Sequence, residues 1–381
     1  MVDFTYHNPT KIEFGKNKES LIGAEIASAN IKKVLLCYGS ERIKSDGLYK
    51  KVTSTLQAKG IAWVELRGIV SNPKLAKVKE GIALAKKEKV QAVLAIGGGS
   101  VLDSAKSIAV GALYDNDIWD FFLGECVIEK ALPIYAIMTL AATGSEMNGY
   151  AVVTNDDTKQ KYNIASEHIY PRLSILNPEL TKSVPNDYLA YSAVDIIAHV
   201  IEGYLTATDQ PHFQSRMVEG IIQTVMETTE ILLTNPEDYN ARAEFTWAAT
   251  QALNGSTTAG TNLTGFPNHM IEHSLSALFD VAHGAGLAIV IPAWMKWFHT
   301  QNPAQFKRFS EKIFGKNSAE EGISELKNWF AKIGAPVSLK EVSISKESIV
   351  AIAQNAAQTA EKQGMGQLYT QKVIEEILHN A

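Results

Sequence analysis

A strand that runs directly into three consecutive glycines is the feature of this sequence that most restricts its fold. Residues 92–96 are all apolar, Gly97, Gly98 and Gly99 follow at once, and Ser100 opens a helix with a hydroxyl at the cap position. Such a turn presents backbone N–H groups without side chains in front of them, so a phosphate can approach closely. An ordinary strand-to-helix turn is the alternative. Three adjacent glycines favour the pyrophosphate of a dinucleotide, although neither the spaced G-x-G-x-x-G fingerprint nor a Walker A loop is present.

The pattern around the glycines predicts an α/β domain with a parallel sheet. Strands are predicted at 33–38, 61–66, 92–96, 133–139 and 173–176, and helices at 47–59 and 75–89. Strands that alternate with helices imply right-handed crossovers between parallel strands. Segments 151–154 and 161–164 are predicted to form a hairpin, and residues 4–14 a hairpin or an edge strand.

Helical periodicity alone continues beyond Pro185. Helices are predicted at 186–206, 213–233, 240–259, 269–279, 283–298, 319–333 and 346–358. A chain of 381 residues exceeds what one hydrophobic core usually supports. We therefore expect two domains, an α/β dinucleotide-binding domain over 1–183 and an all-helical metal-binding domain over 184–381.

The helical half contains a cluster of metal-ligand residue types. Asp195 and His199 are four residues apart, as are His269 and His273, and His283 follows ten residues later. On a helix, residues at this spacing share a face, and a carboxylate among apolar residues is costly unless it is paired or binds a cation. One such pair alone is more often a hydrogen-bonded core pair. The second pair and the third histidine favour a divalent metal, with Fe(II), Zn(II), Ni(II) and Mn(II) all suited to these donors.

Composition excludes several classes of partner and location. The net charge is −5 and charged residues make up 20% of the chain, so neither nucleic acid nor an anionic membrane is an expected partner. Two cysteines cannot make a disulfide framework, which predicts a reduced, cytoplasmic setting. We see no signal-peptide pattern, and charges interrupt every apolar run before it reaches membrane-spanning length.

A dinucleotide site and a divalent metal together suggest hydride transfer to or from a carbonyl that the metal polarises. A metal-dependent lyase or cyclase that uses NAD transiently is the alternative, and its anionic substrate would require several Lys or Arg residues. Residues 260–268 are neutral and partly apolar, which favours a small uncharged substrate. A metal-stabilised binding protein would not explain the glycine turn.

The combined motifs resemble those of the iron-containing (group III) alcohol dehydrogenases. They are the glycine stretch 97–106, the segment 139–146, Asp195 with His199, and His269 and His273 with His283. Segments 8–15 and 38–49 are most similar to the butanol dehydrogenase, or broad aldehyde reductase, branch. The resemblance implies a dehydroquinate synthase-like fold, a Rossmann-like domain followed by a helical one. It also implies reversible reduction of a small aliphatic aldehyde such as butanal with NAD(P)H.

The resemblance also assigns roles to residues. It makes Asp195, His199, His269 and His283 the ligands of one divalent metal, with Fe(II) expected and Zn(II) the alternative, and places His273 beside nicotinamide and substrate for proton transfer. The implied cofactor contacts are Gly97, Gly98, Gly99 and Ser100 at the pyrophosphate, Asp103 nearby, then Thr139, Leu140, Thr143 and Ser145, and Lys161 at the ribose. From position alone, Phe266 and Asn148 are expected to line the substrate pocket.

The residues after the strand at 33–38 bear on cofactor choice. NAD-selective relatives place an Asp there, whereas this chain has Gly39, Ser40, Glu41 and Arg42. Ser40 would admit a 2′-phosphate and Arg42 could pair with it, while Glu41 would oppose it if it pointed inward. We therefore predict that NADP(H) is preferred over NAD(H). We also predict a homodimer that pairs across a two-fold axis through the N-terminal edge segment.

Overall fold

The computed structural model describes residues 1–381, and its internal contacts divide the chain into two compact units. The N-terminal unit comprises His7–Thr158 and Tyr162–Ser183. The C-terminal unit comprises Val184–Ala381 together with two small pieces, Met1–Tyr6 and Lys159–Lys161. None of the helices combines the length and apolar character that a membrane span requires.

The N-terminal unit is built on a six-stranded parallel sheet with the order β1-β8-β5-β4-β2-β3. The predicted parallel sheet is therefore confirmed, and so is the hairpin, which forms a separate two-stranded sheet of β6 and β7. The strands are β1 Lys11–Phe14, β2 Lys33–Tyr38, β3 Ala62–Leu66, β4 Ala92–Gly97, β5 Ile134–Met138, β6 Tyr150–Asn155, β7 Gln160–Ala165 and β8 Leu173–Leu176.

Both faces of this sheet are buried under helices. Side chains alternate along each strand, so one strand can contribute to the apolar clusters on both faces. In β2, Leu35 and Cys37 belong to one apolar cluster, whereas Val34 and Leu36 belong to the cluster on the opposite face. Every residue of β4 and β5 is buried. The helices of this unit are α1 Ile22–Ser28, α2 Arg42–Ser45, α3 Leu48–Ala58, α4 Leu75–Glu88, α5 Gly99–Gly111 and α6 Trp119–Leu123.

The strand order creates a topological switch point between β2 and β4. The chain leaves β2 toward β3 on one side, and leaves β4 toward β5 on the other. Tyr38 and Ile96 pair near the carboxyl ends of these two strands. Open α/β sheets bind ligands in the crevice at such a point. Gly39 and the turn of Gly97, Gly98 and Gly99 (the glycine turn) therefore lie where a dinucleotide is expected.

The C-terminal unit is almost entirely helical, which confirms the predicted fold class. The helices predicted at 186–206 and 283–298 have the predicted bounds, four others differ by at most four residues at either end, and the one predicted at 240–259 ends earlier. They are α7 Asn186–Thr206, α8 His212–Thr234, α9 Tyr239–Ala252, α10 Pro267–Phe279, α11 His283–Phe298, α12 Pro303–Phe309, α13 Ala319–Lys332, α14 Ile349–Lys362 and α15 Gln371–Leu378.

Of the two alternatives predicted for residues 4–14, the edge strand is confirmed. Strand β1 lies at the edge of the sheet and pairs in parallel with β8, while the Val2 amide donates to the Gly260 carbonyl at 2.9 Å. One predicted boundary was wrong: the helix predicted at 240–259 ends at Ala252, since Leu253 leaves the helical region with φ −133° and Gly255 adopts a φ of +90°. Left-handed glycines do not continue a right-handed helix.

Close approach of α11 to α7 depends on a glycine in the first turn of α11. A Cβ atom at Gly284 would overlap the backbone carbonyl of Tyr191 on α7. A second glycine, Gly286, leaves room for the Glu272 side chain, whose Cγ would lie 2.8 Å from an added Cβ. Backbone cannot retreat as a flexible side chain can, so Gly284 sets the spacing of these two helices.

We expect Gly284→Ala to lower the free energy of unfolding by about 1–3 kcal/mol, because overpacking against backbone displaces a helix. Gly220 on α8 is a matched control, since it is exposed and an added Cβ there would meet nothing within 4 Å. Gly220→Ala should be neutral or stabilise the protein by up to about 1 kcal/mol through helix propensity. Urea unfolding of both variants measures the difference, and equal stabilities would contradict this account of the helix contact.

Candidate active site

Three helices of the C-terminal unit bring four of the predicted metal ligands together. α7 carries Asp195 and His199, α10 carries His269, and α11 begins at His283. The Nε2 atoms of the three histidines lie 3.5, 3.6 and 3.6 Å, in that order, from the same Asp195 Oδ1 atom. Side chains that are distant in sequence thus present four donor atoms to one point.

This donor set fits a divalent metal. Donors about 2.1 Å from a tetrahedral metal stand about 3.4 Å apart. The distances from Asp195 Oδ1 to the three Nε2 atoms are close to this value. The donor atoms of Asp195, His199 and His269 all lie within 4.8 Å of one another, and His283 joins them through its distance to Asp195. Asp195 Oδ1 and His269 Nε2 are buried and have no hydrogen-bond partner, a state that proteins rarely tolerate in the absence of a ligand. The residues that could hold the metal are therefore Asp195, His199, His269 and His283.

The electrostatics of the cluster agree with its donor chemistry. Burial raises the pKa of Asp195, but the neighbouring imidazoles outweigh it and leave that pKa well below its usual range. Burial lowers the pKa of His199 to about 3, so this imidazole is neutral, as coordination requires. Burial opposes protonation of His269 as well, yet Glu202 and Asp195 raise its pKa to about 10. In the metal-free cluster a proton on His269 thus balances the carboxylates, and metal binding would displace it.

Glu202 of α7 fixes the orientation of His269. Its buried carboxylate accepts hydrogen bonds from the backbone N–H groups of Asn268 at 2.7 Å and His269 at 3.2 Å, and contacts His269 Nδ1. One carboxylate therefore caps the N-terminus of α10 and holds a ligand imidazole so that Nε2 faces Asp195. Glu202 was not among the predicted site residues. The signal for it in the sequence was a second acidic residue, seven positions after Asp195, in the same apolar helix.

Glu272 has the equivalent position behind His283. Its fully buried carboxylate contacts His283 Nδ1 and Ser276 Oγ, and Lys161 Nζ lies 3.5 Å away. Burial raises the pKa of Glu272, but His283 and Lys161 outweigh it and lower that pKa to about 2. Lys161, predicted to reach the cofactor ribose, donates to Ser276 Oγ at 3.1 Å and lies 3.3 Å from His283 Nδ1. The structure places this lysine beside Glu272 and His283 of the C-terminal unit.

His273 lies one turn beyond His269 on α10 but is not part of the group around Asp195 Oδ1. Its ring centre is 6.5 Å from that of His269 and 5.7 Å from that of His283. Together with Glu272 and His283 it forms a second set of closely spaced donor atoms. Burial and the Lys161 charge hold the pKa of His273 well below its usual value, and its buried Nδ1 has no partner. The His273 imidazole is therefore neutral.

The glycine turn of the N-terminal unit has the features of a phosphate-binding site. Gly98 precedes α5, and no side chain caps this helix, so its first backbone N–H groups remain available to an anion. An added Cβ at Gly99 would overlap the Thr143 side chain, and one at Gly98 would lie 3.1 Å from Leu140 Cβ. Residues 139–149, here called the β5 loop, therefore pack directly against the turn. The predicted contacts Thr139, Leu140, Thr143 and Ser145 all belong to this loop.

The side chains of Asp103 and Asn148 form hydrogen bonds with other residues of the N-terminal unit. Asp103 accepts hydrogen bonds from Ser145 Oγ at 2.7 Å and from the Val152 amide at 3.0 Å. Asn148, expected to line the substrate pocket, is only 2% exposed, and its side-chain oxygen accepts from Lys106 at 3.0 Å. Its carboxamide therefore organises the β5 loop within the N-terminal unit and does not line a substrate pocket.

The residues that follow β2 are held by contacts from the segment after β3. The Gly68 amide donates to the Gly39 carbonyl at 2.9 Å. Glu41 forms ion pairs with Lys44 at 3.1 Å and with Arg67 at 3.4 Å. Ser40 directly precedes Glu41 in the chain, and the side chain of Arg42 is exposed. The carboxylate that sequence analysis identified as a possible opponent of a 2′-phosphate is thus paired with two cations.

Comparison with known proteins identifies the family. The family model described as iron-containing alcohol dehydrogenase matches residues 9–178, and the one described as the C-terminal part of the Fe-containing alcohol dehydrogenase family matches residues 189–381. A probable NADH-dependent butanol dehydrogenase 2 of Bacillus subtilis is 40% identical, with 96% of this chain and 95% of that protein covered. The NADPH-dependent aldehyde reductase YqhD of Escherichia coli is 34% identical, with 97% and 95% covered.

Solved structures agree with this assignment. The crystal structure of NADH-dependent butanol dehydrogenase A from Thermotoga maritima matches with a TM-score of 0.97 at 48% identity, over 100% of this chain and 99% of that one. The resemblance found in the sequence is therefore confirmed across both units. The chain belongs to the iron-containing alcohol dehydrogenase family.

Proposed function

We propose that the protein is a metal-dependent alcohol dehydrogenase or aldehyde reductase that interconverts a small aliphatic aldehyde, such as butanal, and its alcohol with NAD(P)H. The observation that carries the proposal is the convergence of three imidazole Nε2 atoms on Asp195 Oδ1. The names of the relatives, butanol dehydrogenase and aldehyde reductase, support the substrate class. We expect Fe(II) in the site because of the family, with Zn(II) as the alternative, since both accept these donors.

Each part of the chain has a task in this reaction. When bound, the metal supplies a Lewis acid for the carbonyl oxygen and the dinucleotide supplies the hydride. Glu202 and Glu272 hold the Nδ1 sides of His269 and His283, which keeps their Nε2 lone pairs directed at the metal position. Neutral His273 accepts the proton that the alcohol oxygen loses on oxidation, and the imidazolium so formed returns that proton to the oxygen on reduction.

The alternative of a metal-dependent lyase or cyclase is not favoured. Such an enzyme acts on a substrate with several anionic groups, whereas residues 260–268 contain no Lys or Arg. Curated relatives that cover more than nine tenths of this chain have names of dehydrogenases and reductases. Hydride transfer as the net reaction accounts for the glycine turn and the metal-ligand cluster together.

For the cofactor we propose a preference for NADP(H) over NAD(H). Ser40 supplies no carboxylate that would repel a 2′-phosphate, and exposed Arg42 can pair with one. The ion pairs of Glu41 with Lys44 and Arg67 reduce the repulsion between the Glu41 carboxylate and a 2′-phosphate. Relatives include both NADH-dependent and NADPH-dependent enzymes, so the preference rests on these residues of this chain.

We further propose a cytoplasmic homodimer. Strand β1 lies at the edge of the sheet with one side unpaired within the chain, and edge strands commonly pair with another copy. Both cysteines, Cys37 and Cys126, are free thiols, as expected in a reducing compartment. Light scattering during gel filtration measures the assembly, and a monomer mass would refute the dimer.

The activity is tested by following NADPH absorbance with butanal, on chelator-stripped enzyme before and after anaerobic addition of Fe(II) or Zn(II). We expect no turnover without metal and recovery with it. Asp195→Ala should lose metal and reduce kcat/KM by at least about 1000-fold, because the cluster loses its only anionic donor. Metal content measured on the same samples separates loss of metal from loss of fold. Full activity of this variant at full metal occupancy would contradict the assignment of Asp195.

Glu202→Gln provides a graded comparison. Removing a charge behind a metal-bound histidine typically weakens metal affinity about 10–100-fold, so we expect a shift of that size in a competition with a chelator. Glu227→Gln, at an exposed position on α8, is the control and should bind metal like the wild type. Equal metal affinities of the two variants would show that Glu202 does not support His269 in metal binding.

Replacing Arg42 tests the cofactor preference. We expect Arg42→Gln to lower kcat/KM for NADPH by about 10-fold or more and to leave the value for NADH within about twofold, since a charged hydrogen bond to phosphate contributes about 1.5–3 kcal/mol. The exposed Arg216→Gln on α8 serves as control. A wild-type enzyme with a much higher kcat/KM for NADH would refute the preference itself.

A further inference from the structure

A lysine ammonium group is completely buried in the N-terminal unit, and the reaction scheme does not use it. Lys106 lies on α5 with no solvent exposure, on a helix whose neighbouring residues Ala105, Ile108 and Ala109 are part of the apolar core. Burying a charge is costly unless all of its hydrogen bonds are made. The partners of this group therefore indicate what the lysine does.

All three partners of the Lys106 ammonium lie in one short segment after β5. Its Nζ donates to the Asn148 backbone oxygen at 2.9 Å, to Asn148 Oδ1 at 3.0 Å and to the Tyr150 backbone oxygen at 2.8 Å. An ammonium has three N–H donors, so the three acceptors are fully matched. Burial lowers the pKa of Lys106 to about 8, with Asp103 and Glu146 opposing the shift, so the charged form prevails at pH 7.

Asp103, one turn earlier on α5, attaches the same region at two other points. Its carboxylate accepts from Ser145 Oγ at 2.7 Å and from the Val152 amide at 3.0 Å. Residues three apart on a helix lie on the same face, so Asp103 and Lys106 act together. Within the β5 loop, Asn148 Nδ2 donates to the Thr143 carbonyl at 3.4 Å. The held residue Asn148 is thereby linked to Thr143.

Thr143 connects this attachment to the glycine turn. An added Cβ at Gly99 would overlap the Thr143 side chain, and one at Gly98 would lie 3.1 Å from Leu140 Cβ. A shift of the β5 loop would therefore change the wall of the turn that presents the N–H groups of α5. The chain of contacts runs from the buried ammonium, through Asn148 and Thr143, to the phosphate-binding position.

We infer that Lys106 is a positioning residue of the dinucleotide site, which holds the β5 loop against the glycine turn and thereby sets cofactor affinity. The inference rests on the proposed use of NAD(P)H, but it is independent of which of the two cofactors is preferred. Lys106 does not touch the cofactor. Its effect passes through the loop.

The test is Lys106→Met in the full-length protein, which retains the length of the side chain and removes all three donors. We expect the Kd for NADPH, measured by fluorescence without substrate or metal, to rise at least about 10-fold, because three buried oxygens lose their partners and the loop relaxes. Hydrogen exchange should accelerate in residues 139–152 and remain unchanged in α7. A variant of lower thermal stability but wild-type Kd would show a merely structural role and overturn the inference.

Further variants keep the inference testable if Lys106→Met does not fold. Asn148→Ala removes one of the three acceptors and the link to Thr143, and should raise the NADPH Kd about 3-fold or more while the fold is kept. Lys50→Met, at an exposed position on α3, is the matched control and should bind NADPH like the wild type. A wild-type Kd for Asn148→Ala would count against the positioning role.

The same titrations distinguish this inference from the proposed function. If the wild-type protein binds neither NADPH nor NADH, the proposed function fails. If the wild type binds a cofactor and both Lys106→Met and Asn148→Ala bind it equally well, only the role of Lys106 is refuted.

Discussion

The contact of the buried Asp195 carboxylate with three imidazoles is the interaction on which the arrangement of helices around the site depends. A carboxylate so deeply enclosed by helices is unfavourable unless positive charge or a cation compensates it. Three imidazoles surround one of its oxygen atoms, and each comes from a segment that must be held at a fixed distance. Glu202 fixes the start of α10, and Gly284 allows α11 to approach α7. The helical packing can therefore be understood as the means of assembling four donors around one point.

In the N-terminal unit the groups that face the expected ligand are backbone N–H groups. The order of its parallel strands changes direction between β2 and β4, the point at which open α/β sheets bind ligands, and Gly39 and the glycine turn lie there. Here the chain offers N–H groups where the C-terminal unit offers imidazoles, and the walls are completed by the β5 loop. Buried charges recur in both units. Lys106 holds Asn148 of the β5 loop, and Lys161 lies beside Glu272, behind His283.

Local patterns in the sequence were sufficient for much of this architecture. Alternating strands and helices predicted the parallel sheet, and the four-residue spacing of Asp195 and His199 predicted a shared helix face. Spacing could not distinguish His269 from His273, because both lie on the same helix one turn apart. Only the packing of α10 against α7 brings His269 to Asp195. The roles proposed for these residues as ligands and for His273 in proton transfer stay predictions.

Long-range contacts explain what the sequence did not reveal. Glu202 and Glu272 look like ordinary helix residues until the fold places them behind histidines, and Lys161 is 122 residues away from His283. The first six residues belong to the C-terminal unit through contacts that no local pattern records. From position alone Asn148 was expected to line a substrate pocket, whereas its side-chain oxygen accepts a hydrogen bond from Lys106, 42 residues earlier on α5. Such partnerships depend on tertiary structure, not on propensity.

The most direct test of the central claim is a crystal structure of the protein loaded anaerobically with Fe(II), with anomalous scattering recorded at the iron edge. We expect one metal ion with Asp195 and the Nε2 atoms of His199, His269 and His283 at about 2.0–2.2 Å. Iron held by the neighbouring set of Glu272, His273 and His283, or outside both sets, would contradict this account of the site.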